Sequence, residues 1–180
     1  AGVVLAIVGV RLAHEIRGAF AERLAGVLSR NPGVHLLCIG EANAGRVLGS
    51  ELAGVAGQVH CRGFVPDLAT LMTGCDIFLN PPRQGGGTSV AIAMRAACPV
   101  LCMATGDGAT LLENTDLADD LDDYFARLET WLARPEILPA IGRRMVLRVD
   151  QVLGFEPCMQ VLADTVGELA DAAFDDRPAA

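Results

Sequence analysis

The stretch that decides the fold is "LNPPRQGGGTSVAIAM", residues 79–94. It leaves a short apolar run, passes two prolines and an arginine, and reaches three consecutive glycines before a second apolar segment begins. A buried strand that ends in a flexible loop and leads into a helix is typical of a parallel βαβ unit. The stretch therefore predicts a strand, a loop at the carboxyl edge of a sheet, and a helix.

The rest of the chain extends this alternation in both directions. β-Branched runs and segments of helical period predict strands over 3–10, 34–39, 58–64, 76–80 and 98–104 and helices over 12–30, 42–54, 66–75 and 88–97. Successive strands lie roughly 20–25 residues apart, which predicts parallel pairing through right-handed crossovers. From residue 119 the period is helical, over 119–138, 139–153 and 154–174, with a break near Pro157. We therefore predict an α/β fold with a parallel sheet of five or six strands flanked by helices.

Composition places the chain among single-domain globular proteins. Of its 180 residues, 52% are hydrophobic and 20% are charged, and the longest apolar run near the start is about half of a membrane span. The net charge of −8 argues against a nucleic-acid partner, which needs a basic surface, but not against a small anion held by local arginines. The six cysteines form no C-x-x-C pair, so we expect reduced thiols in a cytosolic protein and no zinc site.

The glycine loop has the features of an anion site. In a parallel sheet, ligands bind at the carboxyl ends of the strands, where loop 81–87 is expected to lie. The helix that follows, predicted to start near Thr88, presents unpaired N–H groups, and glycines let a bulky anion approach them. We therefore predict a diphosphate cradle with further donors from the side chains of Arg83, Thr88 and Ser89. The alternative is a plain turn in which Thr88 caps the helix.

Four segments, taken in order, resemble one known family. They are "VVLAIVGVRL" from residue 3, "VHLLCIG" from residue 34, "VHCRGFVPDLATLMTGCDIFLNPPRQGGG" from residue 59 and "AIAMRAACPVLCMATGD" from residue 91. Over about residues 3–150 the chain is similar to the C-terminal, nucleotide-sugar-binding domain of glycosyltransferases with the GT-B fold (group 1, family 4-like). The resemblance implies one Rossmann-like half of a two-domain enzyme.

The family pattern carries over to particular residues of this chain. It implies that the donor diphosphate is held by Gly85, Gly86, Gly87, Thr88 and Ser89. The loop after the third strand implies a contact with the base for Phe64 and Val65. Arg11 is implied to contact phosphate, and the candidates for stabilising charge on the leaving diphosphate are Arg11 and Arg83. No cofactor and no metal ion are expected.

The chain departs from the family pattern at several positions. Gln84 and Ile92 stand where many members carry two glutamates, the second of which normally binds the ribose hydroxyls. The lysine that usually accompanies the first arginine is absent, and Arg17 is its candidate replacement. His14 and Asp107 are further candidates for ligand contact, because each follows a strand at the same edge of the sheet.

The resemblance also implies how the chain is divided. Residues 1–153 are expected to bind the donor, helix 154–174 to cross to an N-terminal domain missing from this chain, and residues 175–180 to fray. The expected function is transfer of a sugar from a nucleoside-diphosphate sugar, with a uridine donor favoured, to an acceptor that is a sugar, another small molecule or a glycan. The chain is expected to be inactive without its N-terminal domain. The expected location is cytoplasmic, or peripheral at a membrane through the missing half.

Two other functions stay open at this point. One is a non-catalytic nucleotide-binding or regulatory module, because Gln84 and Ile92 replace the two glutamates. The other is a different Rossmann-type enzyme, such as one that uses a dinucleotide. No G-x-G-x-x-G follows the first strand, which speaks against the dinucleotide.

Overall fold

The computed structural model describes residues 2–41 and 51–175. Six strands form one sheet: β1 Val3–Gly9, β2 Val34–Gly40, β3 Val59–Arg62, β4 Ile77–Leu79, β5 Val100–Met103 and β6 Leu117–Ala118. They lie in the order β3-β2-β1-β4-β5-β6, and every neighbouring pair is parallel. The α/β fold predicted from the sequence is confirmed, with six strands in its sheet.

Helices connect the strands and cover both faces of the sheet. They are α1 Leu12–Glu15, α2 Gly18–Arg30, α3 Leu68–Met72, α4 Gly87–Arg95, α5 Leu121–Ala133, α6 Leu138–Leu153 and α7 Phe155–Asp175. Short 3-10 helices cover Ala53–Gln58, Asp107–Leu111, Asn114–Asp116 and Pro135–Ile137. The central strand β1 is buried on both faces, because Leu5 and Ile7 pack with α2 and α5 while Ala6 packs with α4 and α6.

The segment predicted as one helix over 12–30 forms two helices. α1 ends at Glu15, Ile16 takes φ −100° and ψ 79°, and α2 starts at Gly18. Gly18 has φ +54°, a left-handed conformation that glycine adopts without a steric penalty. Ile16 and Phe20 are both buried, so the apolar spacing identifies the core-facing positions although it does not reveal the break.

The break predicted near Pro157 is wrong. α7 runs through Pro157, its third residue, and the interruption lies at Gly154, which takes ψ 162° between α6 and α7. The first four N–H groups of a helix have no intrahelical acceptor, so a proline in the first turn removes no hydrogen bond.

Acidic residues cap two helix starts. Asp67 accepts a hydrogen bond from the Thr70 N–H at 3.0 Å before α3, and Asp120 accepts one from the Asp123 N–H at 2.8 Å before α5.

Residues 42–50 of the predicted helix 42–54 lie outside the described residues, and residues 53–54 belong to a 3-10 helix. Residues 176–180 of the predicted tail also lie outside them.

Helix α6 passes very close to the turn that follows α4. A Cβ on Gly142 would overlap the carbonyl oxygen of Ala97, whose own φ is +56°. We expect Gly142→Ala to lower the free energy of unfolding by about 1–3 kcal/mol, although alanine is the better helix former. Urea denaturation measures the change, with Gly57→Ala as the control, because a Cβ there meets nothing within 4 Å. An unchanged Gly142 variant would show that α6 moves away from the turn without cost.

Candidate functional site

A cavity of about 700 Å³ opens at the carboxyl edge of the sheet. It lies beside the ends of β1 and β4, the neighbouring strands at which the strand order reverses. This topological switch point is where open parallel sheets bind their ligands. The lining residues come from five segments of the chain: residues 8–11 and 15, residues 39–40, residues 64, 65 and 68, residues 83 and 85–89, and residue 107.

The N-terminus of α4 forms one wall of this cavity. Gly86 is the N-cap residue and α4 starts at Gly87, so the alternative in which Thr88 caps the helix is wrong. Gly87, Thr88 and Ser89 all line the cavity. The first N–H groups of an α-helix have no intrahelical acceptor and carry the positive end of the helix dipole. The wall is therefore suited to an anion.

The three glycines of the loop have different surroundings. A Cβ added to Gly85 would meet nothing within 4 Å, so this residue faces open space. Gly86 has φ +103°, and a Cβ there would stand 2.7 Å from both Arg83 Nε and Asn80 Oδ1. A Cβ on Gly87 would stand 3.3 Å from the Cβ of Asp107. Of the three glycines, only Gly85 has empty space where a side chain would stand, whereas the corresponding space at Gly86 is occupied by the Arg83 side chain.

Arg83 is held by protein acceptors beneath the loop. Its Nε donates to Asn80 Oδ1 at 2.8 Å, and its Nη1 donates to the Val8 carbonyl at 2.8 Å and to Glu15 Oε2 at 2.9 Å. The side chains of Arg83 and Glu15 are only 8% and 14% exposed. Arg83 Nη2 is the one buried polar side-chain atom without a partner in the described part of the chain.

Asn80 links the loop to the interior of the domain. It is 1% exposed, and its Nδ2 donates to Cys102 Sγ at 3.2 Å. The Tyr124 hydroxyl donates to the Asn80 carbonyl at 3.3 Å. Burial raises the pKa of Tyr124 well above its usual value and also raises that of Cys102, so both groups stay neutral at physiological pH. Beneath the loop, uncharged groups of Asn80, Cys102 and Tyr124 therefore surround one ion pair, Arg83–Glu15.

The other walls carry residues predicted for phosphate and base. Arg11 lines the cavity and is exposed, and it makes no ion pair within residues 2–41 and 51–175. Phe64 also lines the cavity and is 84% exposed. Val65 lies beside it and packs against the core. A free cation and an exposed aromatic ring thus face the same cavity as the α4 N-terminus.

Some predicted residues lie outside the cavity. Gln84, His14 and Arg17 are exposed and do not line it, although the Gln84 carbonyl accepts from the Asp107 N–H at 2.6 Å. Asp107 does line it. Ile92 packs against the apolar core instead.

Glu15 is the charged lining residue that the sequence does not identify. It pairs with Arg83, which is 68 positions away, and no spacing pattern connects the two residues.

A comparison with known families identifies the chain. The family profile described as "Glycosyl transferases group 1" matches residues 3–133, more than half of the chain. The chain belongs to this family. No curated protein sequence matches this group 1 chain significantly.

Solved glycosyltransferase structures share its fold. The Anabaena Alr3699/HepE structure in complex with UDP-glucose superposes with a TM-score of 0.73 at 19% identity, covering 93% of this chain and 49% of HepE. WaaG, described as a glycosyltransferase involved in lipopolysaccharide biosynthesis, gives 0.68 at 20% identity, with coverages of 83% and 43%. The C-terminal domain of the group 1 protein LpcC from Francisella tularensis gives 0.69 at 16% identity, with coverages of 85% and 87%.

The chain spans about half the length of HepE and WaaG, 49% and 43% respectively. It covers 87% of the LpcC domain, which is described as C-terminal. The fold of this group 1 chain is therefore one Rossmann-like half of the GT-B architecture, as the resemblance implied.

Within residues 2–41 and 51–175 of this group 1 chain, no helix has the length and apolarity needed to cross a membrane. No three His, Cys, Asp or Glu side chains converge there as metal ligands. All six cysteines are free thiols, and burial raises the pKa of Cys38 and Cys98.

Proposed function

We propose that this chain is the donor-binding half of a glycosyltransferase that moves a sugar from a nucleoside-diphosphate sugar to an acceptor, which is a sugar, another small molecule or a glycan. The observation that carries the proposal is the cavity at the switch point, where the α4 N-terminus, Gly85 and Arg11 face the same space. A uridine donor is favoured because HepE, a structural neighbour, is described in complexes with UDP-glucose and with UDP.

The reaction assigns a role to each wall. The oxygen of an acceptor hydroxyl bonds to the anomeric carbon, and the bond between that carbon and the β-phosphate oxygen breaks. The hydroxyl proton passes to the leaving diphosphate or to solvent, and negative charge develops on the diphosphate as it leaves. The free N–H groups at Gly87, Thr88 and Ser89 and the guanidinium of Arg11 stabilise that charge, and such preorganised donors supply much of the rate enhancement in many enzymes. Phe64 and Val65 pack on the base. Ile92 has no carboxylate that could accept hydrogen bonds from the ribose hydroxyls, so other groups bind these hydroxyls.

Helix α7 suggests the position of a second domain. Phe155, Met159, Leu162 and Val166 are exposed apolar residues at spacings of four, three and four, which places them on one face of the helix. A helix with an uncovered apolar stripe needs a partner surface. We propose that residues 1–153 hold the donor and that α7 crosses to an N-terminal domain that supplies the acceptor wall, in a protein located in the cytoplasm or peripherally at a membrane.

Titration calorimetry on the chain tests the proposal. We expect UDP to bind and NAD to leave no heat signal, because the loop after β1 lacks the dinucleotide motif. Arg11→Ala is expected to weaken UDP binding by about tenfold to a hundredfold, the effect of losing a hydrogen bond to a charged group. Arg17→Ala is the matched control, since Arg17 is exposed and lies outside the cavity. If neither UDP nor any other nucleoside diphosphate binds, the proposed function is wrong.

A non-catalytic nucleotide-binding module is the second candidate. Gln84 and Ile92 favour it, because neither supplies a carboxylate and neither lines the cavity. Both candidates predict UDP binding. They differ in whether a UDP-sugar is consumed once the second domain is present.

A further inference from the structure

We propose that Glu15 and Arg83 form a positioning pair that fixes the two walls of the phosphate site, the loop after β1 and the glycine loop before α4. In this proposal Arg83 does not itself contact the phosphates. This inference rests on the proposed function, because it concerns the same cavity. Glu15 is a positioning residue in this scheme: it acts through Arg83 and makes no contact with the substrate.

The pair lies between the two walls. Arg83 Nη1 reaches the Val8 carbonyl near the end of β1 and Glu15 at the end of α1, while Nε reaches Asn80 just after β4. A Cβ on Gly9 would stand 2.9 Å from both Arg83 Nη1 and Glu15 Oε2. A Cβ on Gly86, on the other wall, would stand 2.8 Å from Arg83 Nη2. One guanidinium therefore sets the separation between the β1 loop and the glycine loop.

No donor of the guanidinium is both unpaired and exposed to the cavity. Nε and Nη1 are occupied by protein acceptors, and Nη2, which has no protein partner, is buried beneath Gly86. An oxygen in the cavity reaches Nη2 only if the Gly85–Gly87 turn moves. Glu15 also neutralises the charge of Arg83, so Arg11 is the cation that remains available to a diphosphate.

A direct phosphate contact and a positioning role predict opposite results at Glu15. If Arg83 binds phosphate, then removing the neighbouring carboxylate removes a repulsion and leaves UDP binding unchanged or tighter. If the pair positions the walls, then removing either member releases both loops, and the α4 N–H groups lose their alignment with Arg11. Uridine has no phosphates, so its binding is expected to weaken only if a variant loses its folded structure.

The experiment measures UDP and uridine affinities by calorimetry for Glu15→Ala, Glu15→Gln, Arg83→Ala, Arg83→Lys and the double alanine variant. We expect Glu15→Ala and Arg83→Ala each to weaken UDP binding about tenfold or more, and the double variant to be no weaker than either. Glu15→Gln keeps an oxygen acceptor for Nη1 and is expected to stay within about threefold of the wild type. Arg83→Lys keeps the charge but not the three-way bridge, so it is expected to behave like Arg83→Ala.

Several outcomes would overturn the inference. Wild-type or tighter UDP binding by Glu15→Ala, with weaker binding by Arg83→Ala and near-normal binding by Arg83→Lys, would make Arg83 a direct phosphate ligand. Equal losses of UDP and uridine affinity would reduce the pair to a general structural role. A wild-type chain that binds no nucleoside diphosphate would overturn the proposed function as well, whereas UDP binding that is insensitive to both alanine changes would overturn this inference alone. If an alanine variant does not fold, Glu15→Gln and Arg83→Lys carry the test.

Discussion

Replacing Gly85 by valine is expected to lower UDP affinity at least about tenfold while the domain keeps its stability, a loss of about 1.4 kcal/mol or more in binding. Gly85 lines the cavity beside the α4 N-terminus, and a Cβ there meets nothing within 4 Å. Its φ is not in the left-handed region, so the backbone accepts a side chain. The new isopropyl group would occupy the space through which a diphosphate approaches the N–H groups.

Gly86→Val is the matched comparison, and it is expected to fail for a different reason. Gly86 has φ +103°, which costs a β-branched residue about 1–3 kcal/mol. Its Cβ would also stand 2.7 Å from Arg83 Nε and Asn80 Oδ1, so the buried network would have to open. Thermal unfolding of both variants separates the two cases. A stable Gly86 variant together with an unstable Gly85 variant would contradict the arrangement of the loop.

The sheet was predictable because its signals are local. β1 is apolar at every position that faces either layer of helices, and such a run marks a strand buried on both faces. β6 was not predictable in the same way, since Leu117–Ala118 is only two residues long and its pairing with β5 is decided by packing. The break between α1 and α2 was also hidden, because Ile16 and Phe20 keep the spacing of one helix on either side of it.

The candidate site was predictable at the level of segments but not of roles. Parallel strands bring their carboxyl ends to one edge, so Arg11, Phe64 and Gly85 are expected to meet there, and the structure places all three around one cavity. From the sequence, the three glycines cannot be told apart. In the structure, the space beside Gly86 is filled by Arg83, whereas the space beside Gly85 is open. Glu15 escapes notice because its partner lies on a different βα unit, and only tertiary packing brings the two together.

The chain alone is expected to bind UDP but to transfer no sugar from a UDP-sugar, the largest effect on activity predicted for this protein. The cavity is lined by a single α/β unit, and its rim carries the exposed apolar residues Val10 and Phe64. An acceptor and water exclusion both require a second wall. Binding to the diphosphate needs only groups already present, so affinity and activity separate.

The proposed docking of α7 on a second domain can be tested by hydrogen exchange on the same chain. If α7 lacks the surface on which its apolar stripe docks, its amide protons should exchange faster than those of β1 and β4, which lie at the centre of the sheet. Hydrogen exchange followed by mass spectrometry measures this difference, and α6 provides an internal control because Met145 and Val149 anchor it in the core. Protection of α7 equal to that of β1 would mean that the helix needs no partner. Sugar transfer by the chain alone would show that one wall is enough for catalysis, and the second domain would then serve only to select the acceptor.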